Sequence, residues 1–142
     1  MGRIVAIDYG QKRTGLAVTD ELKIIATGLT TVKTADLLDF LKDYVLKNTV
    51  ECFVVGEPKQ MNNTASESAL FIEPFVEKLR SAFTTIPVHR MDERFTSKMA
   101  TRTIREAGLK KKDRQDKALV DTVSATIILQ SYMEMVSYGA RS

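Results

Sequence analysis

The chain has 142 residues, of which 44% are hydrophobic, 21 are Lys or Arg and 18 are Asp or Glu, giving a formal net charge of +3. This length and apolar content suffice for one self-supporting core, so we expect residues 1–142 to form a single domain. The lone cysteine excludes an intrachain disulfide, the lone histidine excludes a His-rich zinc site, and no apolar run approaches the roughly 18 residues of a membrane span. We therefore expect a cytoplasmic protein that makes no membrane contact.

The first third of the chain predicts three strands, a helix and a fourth strand. The β-type runs Arg3 to Asp8, Gly15 to Thr19 and Lys23 to Leu29 are separated by turn residues, which indicates a β-meander. Thr34 is predicted to cap a helix that runs to about Lys47. Cys52 to Val55 is continuously apolar, as is typical of a buried strand reached by a parallel crossover.

The rest of the chain predicts helices around one further strand. In order, we expect a helix from Ser66 to Arg80, a strand from Ile86 to Glu93, a helix from Thr96 or Ser97 to Gly108, a basic loop from Lys110 to Lys117 and a helix from Lys117 to about Tyr138. Pro74 should kink or interrupt the first of these helices, and Phe71 is expected to face the core. This order of elements predicts an α/β protein with a mixed sheet flanked by helices.

Asp8 is the first candidate site residue because a carboxylate closes the apolar run Ile4 to Ile7. An ionised group at the end of a strand covered on both faces is costly unless a cation or hydrogen bonds compensate it. The alternative interpretation is an ordinary turn residue that accepts backbone N–H bonds.

Two further acids are expected near Asp8. Glu93 ends the fifth strand, and Asp121 shares a helical stripe with the apolar Ala125 and Ile128. The ends of parallel strands meet at one edge of a sheet, so three carboxylates can form an all-oxygen site for one or two Mg²⁺ or Mn²⁺ ions. Asp92 competes with Glu93, since neighbours on a strand point to opposite faces.

A basic segment accompanies these acids. Residues 90–117 contain ten Lys or Arg against five Asp or Glu, a local charge of +5 that leaves −2 for the remainder. Such a segment is typical of a polyanion partner, although it can also be solvated surface. Three carboxylates beside a basic segment describe a metal-dependent nuclease.

Four ordered motifs resemble the YqgF family of Holliday-junction-resolvase-like proteins, also described as pre-16S rRNA nucleases. They are Ile7-Asp8-Tyr9-Gly10 with Lys12 to Ala17, then Val54-Val55-Gly56, then Asp92 to Ser97, and Val120-Asp121 with Ala125 and Ile128-Leu129-Gln130. The resemblance implies a ribonuclease-H-like fold with a five-stranded sheet of order 3-2-1-4-5 in which strand 2 is antiparallel. It also implies that Asp8, Glu93 and Asp121 are the catalytic metal ligands. The chain departs from the family at Glu57, a further candidate ligand or a solvated residue, and at Thr14.

The resemblance implies an endonuclease that matures the 5′ end of precursor 16S rRNA, with branched DNA as the alternative substrate. Lys12, Arg13 and Arg94 are implied near phosphates, and the remaining expected nucleic-acid contacts are Arg102, Arg105, Lys110, Lys111, Lys112 and Arg114. Competing hypotheses are a Holliday-junction resolvase, a non-catalytic nucleic-acid adaptor, and an actin-like or sugar-kinase-like ATPase, for which one domain is too short. Both a monomer and a homodimer are compatible with the sequence.

Overall fold

The computed structural model describes residues 2–57, 69–92 and 117–141, with side chains for 2–56, 71–91 and 122–136. The strands are β1 (Arg3–Asp8), β2 (Arg13–Thr19), β3 (Ala26–Lys33), β4 (Val50–Glu57) and β5 (Val88–Asp92). The helices are α1 (Leu37–Lys47), α2 (Ala69–Ala82) and α3 (Lys117–Arg141), and a 3₁₀ turn (Thr34–Asp36) precedes α1.

The strands form one mixed sheet of order β3-β2-β1-β4-β5. The β1–β2 and β2–β3 pairs are antiparallel, whereas β1–β4 and β4–β5 are parallel. The predicted strand order, the antiparallel second strand and the parallel crossover are therefore confirmed.

The sheet is covered on both faces, which explains why β1 and β4 are continuously apolar. Val5, Ile7 and Val55 belong to a core cluster with residues of α1 and α2. Ile4, Ala6 and Val54 belong to a second cluster with residues of α3. Odd-numbered positions of β1 thus face α1 and α2, and even-numbered positions face α3.

Several local predictions are wrong or fall outside the described residues. Thr34 makes no side-chain cap bond to a helix, and its hydroxyl instead donates to the carbonyl of Gly10 at 2.6 Å. Helix α2 continues through Pro74 without interruption, and Phe71 is 47% exposed while the neighbouring Ile72 is buried. The predicted cap at Ser66, the helix ending at Gly108 and the basic loop lie outside the described residues.

The segment that joins β2 to β3, residues Asp20 to Ile25, is an ordered loop. The Asp20 Oδ1 atom accepts bonds from the backbone N–H groups of Ile24 at 2.7 Å and Ile25 at 2.8 Å. The Lys23 N–H donates to the Asp20 carbonyl at 3.0 Å, with Lys23 at a φ of 59°. These backbone donors lower the pKa of Asp20, the bond from Ile25 having the largest effect. One ionised carboxylate thus organises the loop.

Replacing Phe53 by alanine should destabilise the fold strongly. The Phe53 side chain is fully buried, and its ring centroid lies 5.2 Å from that of Phe83. We expect Phe53→Ala to lower the free energy of unfolding by about 3–5 kcal/mol, measured by urea denaturation. The control Leu46→Ala, at a position that is 85% exposed, should change it by less than about 0.5 kcal/mol. Equal effects of the two substitutions would contradict this account of the core.

The β2–β3 loop should lose its internal bonds in acid. Because folding lowers the pKa of Asp20 below its ordinary value of 3.8, the carboxylate stabilises the loop above that value, and the stabilisation disappears as the pH falls through the folded-state pKa. The amide proton shifts of Ile24 and Ile25, followed by NMR, should therefore change together with a midpoint below pH 3.8. In Asp20→Asn this transition should be absent, and its persistence there would assign it to another group.

Candidate functional site

Asp8 is the last residue of the central strand β1, and it lies on the α3 side of the sheet. Alternation along the strand gives Asp8 the same face as Ile4 and Ala6, which pack beneath α3. Ile7, immediately before it, is fully buried on the opposite face. The Asp8 side chain is half-buried, so its carboxylate lies where apolar packing gives way to the edge of the sheet.

The ends of the three parallel strands meet at this edge. Ile7 pairs with Val55, and Glu57 pairs with Asp92 as the last pair of the β4–β5 ladder. Strands β1, β4 and β5 therefore end side by side at Asp8, Glu57 and Asp92. In open α/β sheets this carboxyl edge is where ligands bind.

Helix α3 runs across the sheet so that its first turns lie toward the same edge. In its second half, Tyr132 stacks on His89 at 5.7 Å between ring centroids and lies in the same buried cluster as Cys52. Cys52 and His89 lie early in β4 and β5, at the edge opposite Asp8. The start of the helix, including the backbone at position 121, must then lie toward the strand ends.

Two threonines fix the start of α3 to the sheet. The hydroxyl oxygens of Thr31 on β3 and Thr122 on α3 are 2.7 Å apart. Thr31 pairs with Gly15, and Gly15 pairs with Asp8, so these three residues form one row across β3, β2 and β1. With strands about 4.8 Å apart, the row places Thr31 roughly 10 Å from Asp8. The helical position next to Thr122, which is 121, is thereby held at the level of Asp8.

Gly28 permits this close approach of helix and sheet. A Cβ atom at Gly28 would lie 2.6 Å from Cγ2 of Thr122 and 3.3 Å from Oγ1 of Thr126. The Thr126 hydroxyl is already bonded to the Thr122 carbonyl at 2.9 Å. A side chain on β3 at this point would push the start of α3 outward.

The turn after Asp8 is held in one shape by threonine hydroxyls. The Thr34 N–H donates to the Lys12 carbonyl at 3.1 Å, and the Thr14 and Thr34 hydroxyl oxygens are 3.0 Å apart. Thr14, which departs from the family pattern, is fully buried with this partner. A side chain at Gly10 would collide with the Arg13 carbonyl oxygen, so glycine is required there. The turn thus presents an exposed Lys12 and a half-buried Arg13 beside Asp8.

The structure describes only part of the predicted site. Asp8, Lys12 and Arg13 lie together, and the backbone at Asp121 lies toward the same edge. The side chain of Asp121 is outside the described part, as are whole residues Glu93, Arg94, Arg102, Arg105, Lys110, Lys111, Lys112 and Arg114. Among the side chains that are described, no group of three or more His, Cys, Asp or Glu residues could hold a metal.

Sequence reasoning missed the threonines that position this edge. Thr31 was placed beyond the predicted end of the third strand at Leu29, whereas β3 extends to Lys33. The β-branched run Thr30 to Val32, which favours a strand, is the sequence signal that could have extended β3. Thr122, next to Asp121, carries no pattern that distinguishes it from a solvent-facing helical residue.

Arg90, which belongs to the basic segment, serves the fold on the other face. Its guanidinium donates to Glu73 of α2 at 2.7 Å, and Val88, two residues earlier, packs in the α1 and α2 cluster. The intervening His89 and the following Met91 pack on the α3 side. Arg90 therefore does not add to the positive charge beside Asp8.

The fold is that of a RuvC-like, ribonuclease-H-like protein. The structure matches that of Thermus thermophilus RuvC in complex with a Holliday junction substrate with a TM-score of 0.60, covering 95% of this chain and 96% of that chain at 16% identity. A second RuvC structure from the same organism gives a TM-score of 0.54 at 15% identity. At these identities the likeness establishes the fold alone.

The sequence comparisons establish the family. A family model described as "RuvX: Holliday junction resolvase" matches residues 2–135. Relatives from Porphyromonas gingivalis and Bacteroides thetaiotaomicron are 65% and 63% identical over 134 residues, covering 94% of this chain and 97% of each relative. Both carry the name "Putative pre-16S rRNA nuclease". The chain belongs to the RuvX family, also called YqgF, which confirms the sequence resemblance and makes it a nuclease of the hydrolase class.

Among the helices of residues 2–57, 69–92 and 117–141, none combines the length and the hydropathy that a transmembrane helix requires. Helix α3 uses its buried stripe of Ala125, Ile128 and Leu129 to cover the sheet.

A methyl group at Gly28 should loosen the start of α3. We expect Gly28→Ala to lower the free energy of unfolding by about 1–3 kcal/mol and to speed hydrogen exchange of the amides that follow Thr122. Thr122→Ser removes the Cγ2 atom that would collide but keeps the hydroxyl that bonds to Thr31. The double variant Gly28→Ala/Thr122→Ser should therefore recover most of the lost stability. If the double variant were no more stable than Gly28→Ala, the contact with Thr122 would not be the reason that position 28 requires glycine.

Proposed function

We propose that this protein is a divalent-metal-dependent endonuclease in which Asp8, Glu93 and Asp121 hold one or two Mg²⁺ or Mn²⁺ ions and direct hydrolysis of a phosphodiester bond. The substrate we propose is structured RNA, specifically the 5′ end of precursor 16S rRNA, acted on in the cytoplasm by a single domain spanning residues 1–142.

The observation that carries the proposal is the joint placement of Asp8 and the start of α3. The strand register sets Asp8 at the carboxyl edge on the α3 side, and the Thr31–Thr122 contact holds helical position 121 at the same level. Backbone positions 8 and 121, which are more than 100 residues apart in the chain, thereby lie toward one edge. This placement supports the proposal that their two carboxylates share a site.

We assign the third carboxylate to Glu93 on the motif Asp92 to Ser97 and on the strand that the sequence predicts to end at Glu93. Neighbours on a strand point to opposite faces, and the described part of β5 alternates in this way. Met91 packs on the α3 side, and Arg90 pairs with Glu73 of α2 on the other face. Asp92 and Glu57 stay alternative ligands.

The chemistry of these donors fits a hard cation. Carboxylate oxygens without imidazole or thiolate suit Mg²⁺ and Mn²⁺, and His89 and Cys52 both lie at the opposite edge. When bound, such ions lower the pKa of the attacking water and neutralise charge that develops on the phosphate and the leaving oxygen.

The residues of the chain supply position and charge for the hydrolysis. The water oxygen forms a bond to phosphorus, the bond from phosphorus to the leaving oxygen breaks, and the leaving oxygen takes up a proton, giving a phosphate end and a hydroxyl end. Asp8, at the end of the central strand, would hold the cation that the reacting phosphate contacts. Lys12 and Arg13, held beside it by the Thr34 bonds, bind phosphates of the same strand.

The choice of RNA rests on the relatives rather than on geometry. Relatives 65% and 63% identical to this chain carry a name that refers to precursor 16S rRNA. The family description and the RuvC structure favour a second candidate, cleavage of a Holliday junction. That reaction needs two active sites on two strands, and so it needs a homodimer.

Replacing Asp8 by asparagine should abolish cleavage without unfolding the chain. We expect Asp8→Asn to reduce the Mg²⁺-dependent cleavage rate of a precursor 16S rRNA fragment by more than about 100-fold, since the loss of a residue that merely supports a metal ligand already costs 10–100-fold. The matched control is Asp39→Asn, at an exposed carboxylate on α1. Both variants should show the wild-type urea transition, which separates a lost site from a lost fold.

Two results would redirect the assignment. Cleavage retained in Asp8→Asn would remove Asp8 from the site, and cleavage of a four-way DNA junction in preference to the RNA would select the resolvase. A non-catalytic adaptor would bind RNA, but a Mn²⁺ titration would show no binding that is lost in Asp121→Asn.

A further inference from the structure

The β2–β3 loop displays three large aliphatic side chains to solvent. Leu22, Ile24 and Ile25 are 63%, 67% and 62% exposed. Single exposed aliphatic residues are common on proteins, but a contiguous group of them marks an interaction surface. Nothing in the nuclease chemistry uses this loop, which lies at the sheet edge opposite Asp8.

The exposure of these side chains is built into the loop. The Asp20 carboxylate accepts the N–H groups of both Ile24 and Ile25, and Lys23, at positive φ, forms an ion pair with Glu51 at 2.6 Å. A positive φ at a residue other than glycine is costly and persists only where the surroundings impose it. The loop therefore holds its aliphatic side chains outward in a fixed arrangement, which reduces the entropy lost on binding.

A cavity of about 390 Å³ opens beside the loop, with Lys23 and Glu51 on its wall. His89 and Tyr132 contribute stacked rings, and Met133 and Val136 continue the wall along α3. Burial raises the pKa of the Cys52 thiol and raises that of Tyr132 to about 12, so both groups are neutral at physiological pH. Apart from the Lys23–Glu51 ion pair on its wall, the cavity is largely apolar, and its size accepts one side chain of a partner.

A second depression joins the loop to the helix. It is lined by Ile24, Ile25, Met133 and Glu134, among others. Val136, which is 47% exposed, lies one turn beyond Met133. We call Leu22, Ile24, Ile25, Met133 and Val136 together the loop patch.

Carboxylates surround the loop patch. Its described charged neighbours are the carboxylates of Asp20, Glu21, Glu51 and Glu134 against two cations, Lys23, which is paired with Glu51, and Arg3, which donates to the Thr19 carbonyl at 3.0 Å. This excess of negative charge repels nucleic acid, and it also opposes a second copy of the chain. A twofold interface would set the same carboxylates against each other.

We propose that the loop patch binds a segment of another protein in which an aromatic or aliphatic anchor is flanked by lysine or arginine. The anchor occupies the cavity over His89 and Tyr132, and the basic residues meet Glu21 and Glu134. Because the patch lies at the edge opposite Asp8, such a partner can remain bound while the carboxyl edge contacts a substrate.

The test uses a random peptide library displayed on phage and selected on the full-length protein. We expect the enriched peptides to share an aromatic or aliphatic residue between basic residues. A synthetic copy of an enriched peptide should bind with a Kd that Ile24→Ser and Glu134→Lys each weaken at least about 10-fold, a loss of about 1.4 kcal/mol. Leu46→Ser, at an 85% exposed position on α1, should leave the Kd unchanged.

Two readouts keep the proposal falsifiable. The methyl NMR signals of Ile24, Ile25 and Met133 should shift when the peptide is added, and all three variants should keep the wild-type urea transition because the changed side chains are exposed. The proposal would be overturned if acidic peptides were enriched or if the enriched peptides shared no basic and apolar consensus. A Kd that Ile24→Ser leaves unchanged would overturn it as well. A concentration-dependent dimer that Ile24→Ser dissociates would assign the patch to a second copy instead.

Discussion

The parallel pairing of β1 with β4 is the constraint on which the rest of the structure depends. The apolar runs Ile4 to Ile7 and Cys52 to Val55 are buried on both faces, so each of their residues belongs to one of two cores. A shift of the strand register by one residue would move each side chain to the other core. This assignment of residues to cores fixes which side of the sheet Asp8 takes. It also explains how an ionisable group can end such a strand, because the apolar run stops where the strand reaches the edge.

The candidate site depends equally on a polar contact that lies far from the acids in sequence. Helix α3 covers the sheet through an apolar stripe, and such a stripe alone allows the helix to slide along its axis. The Thr31–Thr122 contact and the close approach at Gly28 restrict that movement at the end where Asp121 lies. Apolar packing therefore stabilises the helix, and the two threonines together with Gly28 fix its position along the sheet.

The topology of the sheet and the burial of its central strands could be predicted from the sequence. The strand order, the antiparallel second strand and the two-sided burial of β1 and β4 follow from continuous apolar runs and from the family motifs. The extent of β3 and the role of Thr34 were not predictable in this way. Both depend on hydroxyl groups whose partners lie on other elements, such as the Gly10 carbonyl and Thr122. A local pattern cannot distinguish a threonine that caps a helix from one that supports a distant turn.

The alternation of side chains along the strands, which places Asp8 on the α3 side, also separates charged residues that support the fold from charged residues that lie at the edges of the sheet. Arg90 counts as part of the positively charged segment in the sequence, yet its face and its bond to Glu73 make it a support for α2. Carboxylates also gather at the opposite edge, around the β2–β3 loop. Both edges therefore carry acids, and they differ in the cations beside them: Lys12 and Arg13 adjoin Asp8 at the strand ends, whereas Lys23 at the strand starts is already paired with Glu51. A polyanion can meet Lys12 and Arg13 at the edge that carries Asp8, and the far edge stays available for a partner of opposite charge.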